Sequence, residues 1–178
     1  MKSNLTDLNF AILGLLLEKP LSGYQVRKIF ESSAMGIFSD SPGSIYPALK
    51  KLIKTGYIIQ TKKGSKKIIS ISTSGREELK KWVLQPLKPV DVSKKMEVQL
   101  LKYVFSEKLI SKSQKNKVLV KLSVELESYL EKLNSFLKKE SDSMTKQGKQ
   151  AFQLGISTTQ LQLNWVKRTI KDLDNTTL

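Results

Sequence analysis

The sequence has no cysteine and no histidine among its 178 residues. Without cysteine it can form no disulfide, no thiolate metal site and no cysteine nucleophile. Without histidine it lacks the commonest metal ligand and the side chain that most often moves protons near neutral pH. These absences exclude zinc hydrolases and enzymes built on Ser-His or Cys-His pairs. Paired carboxylates or a lysine could still catalyse a reaction, but no acidic cluster stands out. We therefore expect that the protein is not an enzyme and that it has no metal site and no cofactor.

Long apolar runs are also scarce. The run Phe10–Leu17 has eight residues and is followed by Glu18, Lys19 and Pro20. Eight apolar residues are too few to cross a bilayer, and no small-residue cleavage site of a signal peptide follows them. We therefore expect a buried helix in a cytoplasmic protein that does not enter the membrane.

Positive charge is what the sequence has in excess. The formal net charge is +15, from 31 lysines and arginines against 16 aspartates and glutamates. Residues 1–89 contribute +9 and residues 90–178 contribute +6. A strongly basic chain favours polyanionic partners, nucleic acid first and an anionic membrane surface second. A solvated, lysine-rich surface is the alternative that composition alone leaves open.

Two helices are predicted before residue 34. The first spans about residues 5–17, where leucines and isoleucines recur at helical spacing, and Pro20 marks its end. The second begins with a capping box in which the side chains of Ser22 and Gln25 each accept from the other's backbone N–H.

The third predicted helix is the most informative. It starts at Ser41, an N-cap residue followed by Pro42 at the first helical position, and Gly56 closes it. A step of 100° per residue gives one apolar arc, formed by Ile45, Ala48, Leu49, Leu52 and Ile53. The opposite arc is polar or small, with Tyr46 at its boundary: Gly43, Ser44, Pro47, Lys50, Lys51 and Lys54. Pro47 is expected to be tolerated because it falls in the first turns.

A hairpin is predicted after this helix. Two β-rich runs, residues 57–62 and 67–72, flank a loop that contains Gly64. Four lysines crowd its tip, and we expect them to contact phosphates, although lysines also protect sheet edges against aggregation. A second capping box, from Ser74 to Glu77, is predicted to open a fourth helix that ends near residues 82–85.

The order of these elements is typical of a winged helix-turn-helix. In that arrangement the third helix enters the major groove of DNA, and the hairpin, or wing, touches the flanking backbone or minor groove. The sequence therefore predicts a duplex-binding domain in residues 1–89.

Five segments carry a resemblance to a known family: Ile12–Leu16, Ser22–Tyr24, Gly43–Leu52, Gly56–Ile58 and Ile71–Arg76. They resemble the PadR-like family of bacterial transcriptional regulators. The tyrosine expected near the second wing strand is replaced by Ile69 or Ile71. The resemblance implies a homodimer that binds a pseudo-palindromic operator, usually as a repressor.

Together the pattern and the resemblance predict which residues face DNA. Core packing is the alternative for the two tyrosines of this set, and a solvated face is the alternative for the helix lysines. The predicted DNA-binding residues are Ser22, Tyr24, Ser41, Gly43, Ser44, Tyr46, Pro47, Lys50, Lys51, Lys54, Lys62, Lys63 and Lys66.

Residues 90–178 are predicted to form a helical dimerisation domain. Two long helices alternate apolar steps of three and four and are separated by a polar loop at about residues 141–148. An antiparallel hairpin of this kind buries only one side, so a second copy is expected to cover the rest. Packing back onto the N-terminal domain is the alternative. The predicted dimer residues are Leu122, Leu126, Tyr129, Leu133, Phe136, Leu163, Val166 and Ile170.

The predicted fold class is thus mostly α, with an N-terminal winged helix-turn-helix and a C-terminal helix hairpin. The resemblance also suggests a small aromatic or lipophilic effector, for which Trp82, Phe105 and Trp165 are candidates unless they are ordinary core residues. A basic helical protein that binds RNA or an anionic membrane surface is the competing interpretation. No aromatic-rich stacking sheet supports it.

Overall fold

A computed structural model describes residues 4–38, 41–86, 92 and 94–175. The fold is mostly α, as predicted, with one three-stranded antiparallel sheet in the strand order β1-β3-β2. The helices are α1 (Asp7–Glu18), α2 (Gly23–Ser32), α3 (Pro42–Lys54), α4 (Thr73–Leu84), α5 (Met96–Ser106), α6 (Lys112–Glu140) and α7 (Lys146–Asn175). The strands are β1 (Leu21–Ser22), β2 (Ile58–Lys63) and β3 (Lys66–Ile71), and short 3-10 turns cover Ala34–Ile37 and Ser141–Ser143.

The chain forms two compact units. The N-terminal unit contains residues 1–83 together with residues 101–109, and the helical unit contains residues 84–100 and 110–178. The domain boundary predicted between residues 89 and 90 lies outside the described residues. Helix α5 contributes residues to both units, an arrangement that the sequence pattern did not predict.

The core of the N-terminal unit is built from the apolar faces of α1 to α4. The side chains of Ile12, Phe30, Ile45 and Leu79 have no exposed surface. Burial of one such side chain contributes roughly 1.5–3 kcal/mol. A buried amide also joins two helices here, because Asn9 Nδ2 donates to the carbonyl of Ala48, 3.4 Å away. Helix α3 is therefore fixed against α1 by both packing and a hydrogen bond.

The segment 101–109 is part of this core. A Cβ atom placed on Gly14 would lie 1.9 Å from the ring of Phe105, so that ring occupies the space where a side chain would otherwise project. The ammonium group of Lys102 lies 5.1 Å from the ring centroid of Trp82. The Trp82 ring stacks on Phe10 with centroids 4.7 Å apart. These contacts explain why residues 101–109 group with the N-terminal unit.

The start of α4 differs from the prediction. The Ser72 hydroxyl, and not that of Ser74, accepts from a helix N–H, that of Gly75 at 3.0 Å. The Ser74 hydroxyl instead donates to the carbonyl of Gly56 at 3.1 Å. The predicted capping box was wrong because α4 already begins at Thr73, so Ser72 precedes the helix and Ser74 lies within its first turn.

The helical unit contains the predicted antiparallel hairpin of α6 and α7. Lys167 Nζ lies 2.6 Å from Glu127 Oε1. The rings of Phe136 and Phe152 stack with centroids 5.3 Å apart. The later residue of α6 thus contacts the earlier residue of α7, so the two helices run antiparallel.

The residues predicted to form a dimer lie mostly inside this hairpin. Leu122, Leu126, Leu163 and Val166 are buried within one chain. Tyr129, Leu133 and Ile170 are half-buried, and Phe136 is exposed. The apolar positions that recur in steps of three and four thus pack two helices of the same chain together. Besides Phe136, the large apolar side chains that the hairpin leaves exposed are Val120, Val124, Leu154 and Leu161.

Candidate nucleic-acid interface

Helix α3 begins and ends where the sequence predicts. The Ser41 side chain accepts from the N–H of Gly43 at 3.2 Å, and Pro42 occupies the first helical position. After the helix, Gly56 adopts a φ of +73°, a left-handed conformation that favours glycine. The serine cap, the proline and the glycine together fix the length and direction of α3.

The two faces of α3 separate as predicted, with one exception. Ile45, Ala48, Leu49 and Leu52 are buried. Ile53, assigned to the same apolar arc, is exposed. It lies at the edge of the helix that borders a groove, and its methyl groups form part of the groove wall.

The other face of α3 is open. Ser44, Pro47, Lys50 and Lys54 are exposed, as is Gly43. Tyr46 is 40% exposed at the boundary between the faces. The face therefore offers a hydroxyl group, two ammonium groups and bare backbone to a partner.

Lys51 is placed differently from the other lysines of α3. Its side chain is half-buried, and its ammonium group donates to the backbone carbonyl of Asn4. Lys51 therefore ties α3 to the chain before α1, whereas Lys50 and Lys54 project into solvent.

Pro47 lies within the first turns of α3, as expected, but at a position where an N–H would have a helical partner. It lies after the first turn, whose N–H groups have no helical partner anyway. A proline at an interior position removes one helical hydrogen bond.

The start of α2 faces the same side as α3. Ser22 is engaged in its capping box: its hydroxyl accepts from the N–H of Gln25 at 3.2 Å, and Gln25 Oε1 accepts from the N–H of Ser22 at 2.8 Å. Tyr24 is 57% exposed, and the Arg27 guanidinium lies 5.6 Å from the centroid of its ring. A Cβ atom on Gly23 would lie 3.4 Å from the ring of Tyr46, so both tyrosine rings lie beside the α2 N-terminus.

The wing has the predicted lysine-rich tip. Gly64, with a φ of +63°, and Ser65 form the turn between β2 and β3. Lys62 pairs with Lys67 across the strands, and Lys63 pairs with Lys66. Lys62, Lys66 and Lys67 are exposed. The side chain of Lys63 lies outside what the structure describes.

A groove of about 480 Å³ runs between α3 and the wing. Leu49, Ile53 and Ile69 form its apolar wall, and the cationic side chains of Lys50 and Lys67 face it from opposite sides. The remaining lining residues are Ser22, Gly23, Tyr24, Tyr46 and Gln60.

Three residues near this groove were absent from the predicted set: Arg27, Gln60 and Lys67. Lys67 was visible as part of the lysine cluster, but sequence cannot tell which wing lysine faces the helix. The strand register decides it, because Lys67 lies on the same side of β3 as the buried Ile69, two residues later. Arg27 and Gln60 carried no sequence signal.

The charge around the groove is of one sign. Residues 41–76 contain eight lysines and arginines and no aspartate or glutamate. Within the described residues, Lys50, Lys54, Lys62, Lys66 and Lys67 take part in no ion pair. Such a surface attracts phosphate groups and releases their counterions on contact.

The residues predicted to bind an effector are placed as follows. Trp82 and Phe105 are buried in the packed core of the N-terminal unit. Trp165 is half-buried on α7 in the helical unit.

The helical unit has a separate cavity of about 310 Å³. Leu84, Pro86, Val118 and Leu122 supply its apolar walls. Gln99 faces it, is 9% exposed, and its carboxamide has no hydrogen-bond partner among the described residues. The other polar lining residues are Gln85, Gln114, Lys117 and Lys121.

Two kinds of feature, a metal-binding cluster and a membrane-spanning helix, do not occur in the described part of the chain. No cluster of acidic side chains suited to a metal ion occurs in it. None of its helices combines the length and the apolar character needed to cross a membrane.

The N-terminal part of the chain matches one protein family. Residues 12–81 match the model of the transcriptional regulator PadR-like family. Residues 12–81 belong to the PadR-like family. The matched range contains α2, α3, the wing and most of α1 and α4. The family expected from the sequence is thereby confirmed.

Two curated proteins are similar to the chain. The negative transcriptional regulator PadR of Bacillus subtilis is 36% identical over 104 residues, which is 56% of this chain and 57% of that protein. A probable transcriptional regulator of Mycobacterium tuberculosis is 32% identical over 84 residues, 44% of each chain. The chain thus spans about half the length of the curated relatives it matches.

Solved structures of PadR-like proteins align over most of the chain. Bacillus subtilis PadR in complex with operator DNA has 25% identity and a TM-score of 0.42, covering 96% of this chain and 99% of that one. The same protein in complex with p-coumaric acid has 24% identity and a TM-score of 0.44, covering 95% and 99%. A PadR-like regulator from Bacillus cereus has 25% identity and a TM-score of 0.41, covering 94% and 98%.

Proposed function

We propose that this protein is a sequence-specific DNA-binding transcriptional regulator. The observation that carries the proposal is the exposed polar face of α3 beside a groove and a wing whose lysines are unneutralised. This face lies in the segment that belongs to the PadR-like family. Helix α3 enters the major groove, and the wing contacts the flanking backbone.

The side chains divide between two tasks. Lys62, Lys66 and Lys67 neutralise phosphates, which provides affinity with little sequence preference. Ser44 and Lys50 lie on the open face of α3, where they reach base edges and provide preference. Because Lys51 is bonded to Asn4, it holds α3 in place and contributes less to DNA contact than Lys50.

A genomic-fragment selection followed by gel shifts with the selected duplex tests this function. Lys66→Ala should weaken binding to all duplexes similarly, and Lys50→Ala should change which duplex is preferred. Lys138→Ala, an exposed lysine of the helical unit, is the matched control and should change neither. Equal affinity for every duplex would refute sequence-specific binding, and stronger competition by single-stranded RNA or by anionic vesicles would favour the competing interpretation.

The protein acts as a homodimer in this proposal. One helix-turn-helix contacts few base pairs, and two copies contact half-sites one or more DNA turns apart, which makes the operator pseudo-palindromic. Val120 and Val124 on α6, and Leu154 and Leu161 on α7, are apolar yet exposed, and burial in a second copy accounts for them. Repression is the expected sign, since the Bacillus subtilis relative is a negative regulator.

Sedimentation velocity tests the dimer. The double substitution Leu154→Glu with Leu161→Glu should convert the dimer into monomers. Val104→Glu, at an exposed apolar position of α5, should not. A wild-type chain that sediments as a monomer at micromolar concentration would contradict the proposal.

The cavity of the helical unit supports a further part of the function, the binding of a small effector. Its apolar walls suit an aromatic or aliphatic body. The unpartnered carboxamide of Gln99 and the ammonium groups of Lys117 and Lys121 suit a carboxylate or hydroxyl group. Calorimetry with an aromatic carboxylate and with its neutral methyl ester tests this. Gln99→Leu should weaken binding of the carboxylate. If the wild type and Gln99→Leu bind the acid and the ester equally weakly, the site is contradicted.

A further inference from the structure

Pro47 changes the hydrogen bonding of α3 on its open face. In an α-helix the carbonyl of each residue accepts from the N–H four residues later. The partner of the Gly43 carbonyl would be the N–H of residue 47, which proline does not have. Among the described residues no group outside the helix donates to this oxygen either. The Gly43 carbonyl therefore lacks the donor that an α-helix normally supplies.

Gly43 itself is not explained by the fold. Its φ is not positive, in contrast to Gly56 and Gly64. A Cβ atom at this position would meet only the Ser41 hydroxyl, at 3.4 Å. Alanine is the better helix former, so neither backbone strain nor internal packing requires glycine here. Glycine is also the residue used where a backbone must approach another molecule closely.

Both observations fall on one patch. Gly43 and Pro47 are one helical turn apart, exposed, and on the same face as Ser44 and Lys50. A bare backbone next to a carbonyl that lacks its donor is suited to accept a hydrogen bond from a partner that lies against α3.

We propose that the Gly43 carbonyl accepts from an exocyclic base amino group in the major groove, N4 of a cytosine or N6 of an adenine. This inference rests on the proposed function. In the major groove only these two groups are donors, whereas N7, O6 and O4 are acceptors that a carbonyl rejects. Gly43 and Pro47 together thus form a specificity element made of backbone, with Pro47 keeping the oxygen free.

The test removes the amino groups one at a time. In the selected half-site each cytosine is replaced by the 2-pyrimidinone nucleoside and each adenine by the purine nucleoside, and binding of the full chain is measured by fluorescence anisotropy. At one position the wild-type protein should lose roughly threefold to tenfold in affinity, the range for one hydrogen bond. Pro47→Ala restores the N–H that engages the Gly43 carbonyl, so it should abolish the penalty at that position alone.

Pro42→Ala is the matched control. It exchanges proline for alanine in the same helix, but at the first helical position, where the N–H has no helical acceptor. This variant should keep the wild-type penalty. Comparing proteins on the same pair of duplexes cancels any effect of the modified base on the DNA itself.

Gly43→Ala provides a second readout. It should keep or raise the unfolding temperature and weaken binding to the specific duplex. Unchanged affinity of Gly43→Ala, no amino-group penalty in wild type, or the same penalty in Pro47→Ala would each overturn the inference. If wild type binds specifically without any amino-group penalty, only this inference fails; if it binds all duplexes equally, the proposed function fails as well.

Discussion

Helices α3 and α6 are both amphipathic and lysine-rich, yet their polar faces differ. Within α6, four glutamates stand among seven lysines, and Glu127 pairs with Lys167 of α7 at 2.6 Å. Within α3 and the wing no acidic residue occurs, and the exposed lysines have no anionic partner in the described chain. The two halves differ little in net charge, +9 against +6. Under the proposed function, the difference teaches that the arrangement of the lysines, more than their number, distinguishes the DNA-contacting surface from a solvated one.

The largest expected effect tests where the N-terminal unit ends. Phe105→Ala removes the ring that packs on Gly14, and it should lower the free energy of unfolding by about 3–5 kcal/mol. Urea unfolding measures the loss, and hydrogen exchange should show it in α1. Val104→Ala, at the exposed neighbouring position, should stay within about 0.5 kcal/mol of wild type. Increased exchange confined to α6 and α7 would place residues 101–109 with the helical unit instead.

The next effect tests the charge comparison directly. Reversing the charge of both groove lysines, Lys50→Glu with Lys67→Glu, should lower duplex affinity by roughly 100-fold. The slope of log K against log salt concentration should also become shallower by about one unit for each lysine. Reversing Lys138 and Lys139 on α6 changes the net charge equally and should leave affinity within about twofold. Equal losses in the two double variants, measured by anisotropy across a salt series, would show that net charge alone determines binding.

A smaller effect separates stability from recognition. Both Ser41 at α3 and Ser111 at α6 cap a helix with the side-chain hydroxyl, which accepts from the N–H of Gly43 and of Gln114 respectively. Alanine at either position should cost about 1 kcal/mol of stability. Only Ser41→Ala should also weaken DNA binding, because only α3 lies at the proposed DNA interface. Thermal unfolding and gel shifts on both variants check this, and a loss of DNA binding by Ser111→Ala would contradict it.

The smallest effect concerns the hairpin ion pair. Glu127→Gln breaks the pair with Lys167, both of which are partly exposed. The stability should fall by less than about 1 kcal/mol, and the difference should shrink in high salt. A large loss that persists at high salt would indicate a packing role for Glu127.

Local sequence determined most of the N-terminal unit. The cap at Ser41, the stop at Gly56 and the hairpin turn at Gly64 were predictable because each depends on a residue's own backbone preference or on a neighbour within four residues. The two faces of α3 followed from helical periodicity, except for Ile53 at the groove edge.

What the sequence could not predict depends on contacts between distant residues. Ser74 gives its hydroxyl to Gly56, Lys51 bonds to Asn4, and Phe105 fills the space above Gly14. The pairing of α6 with α7 was predicted, but Leu126 and Val166, which were assigned to the dimer interface, are buried within one chain. Periodicity shows that a face is buried and does not show what buries it.

The pairing of Lys62 with Lys67 has a thermodynamic consequence for the wing. Two like charges directly opposite each other destabilise an antiparallel pair by a few tenths of a kcal/mol or more. A bound anion relieves that repulsion, so ribbon order and anion occupancy are linked equilibria. Inorganic sulfate alone should therefore protect the amides of β2 and β3 from exchange before any duplex is added, and the ribbon should be most ordered when its ligand is present.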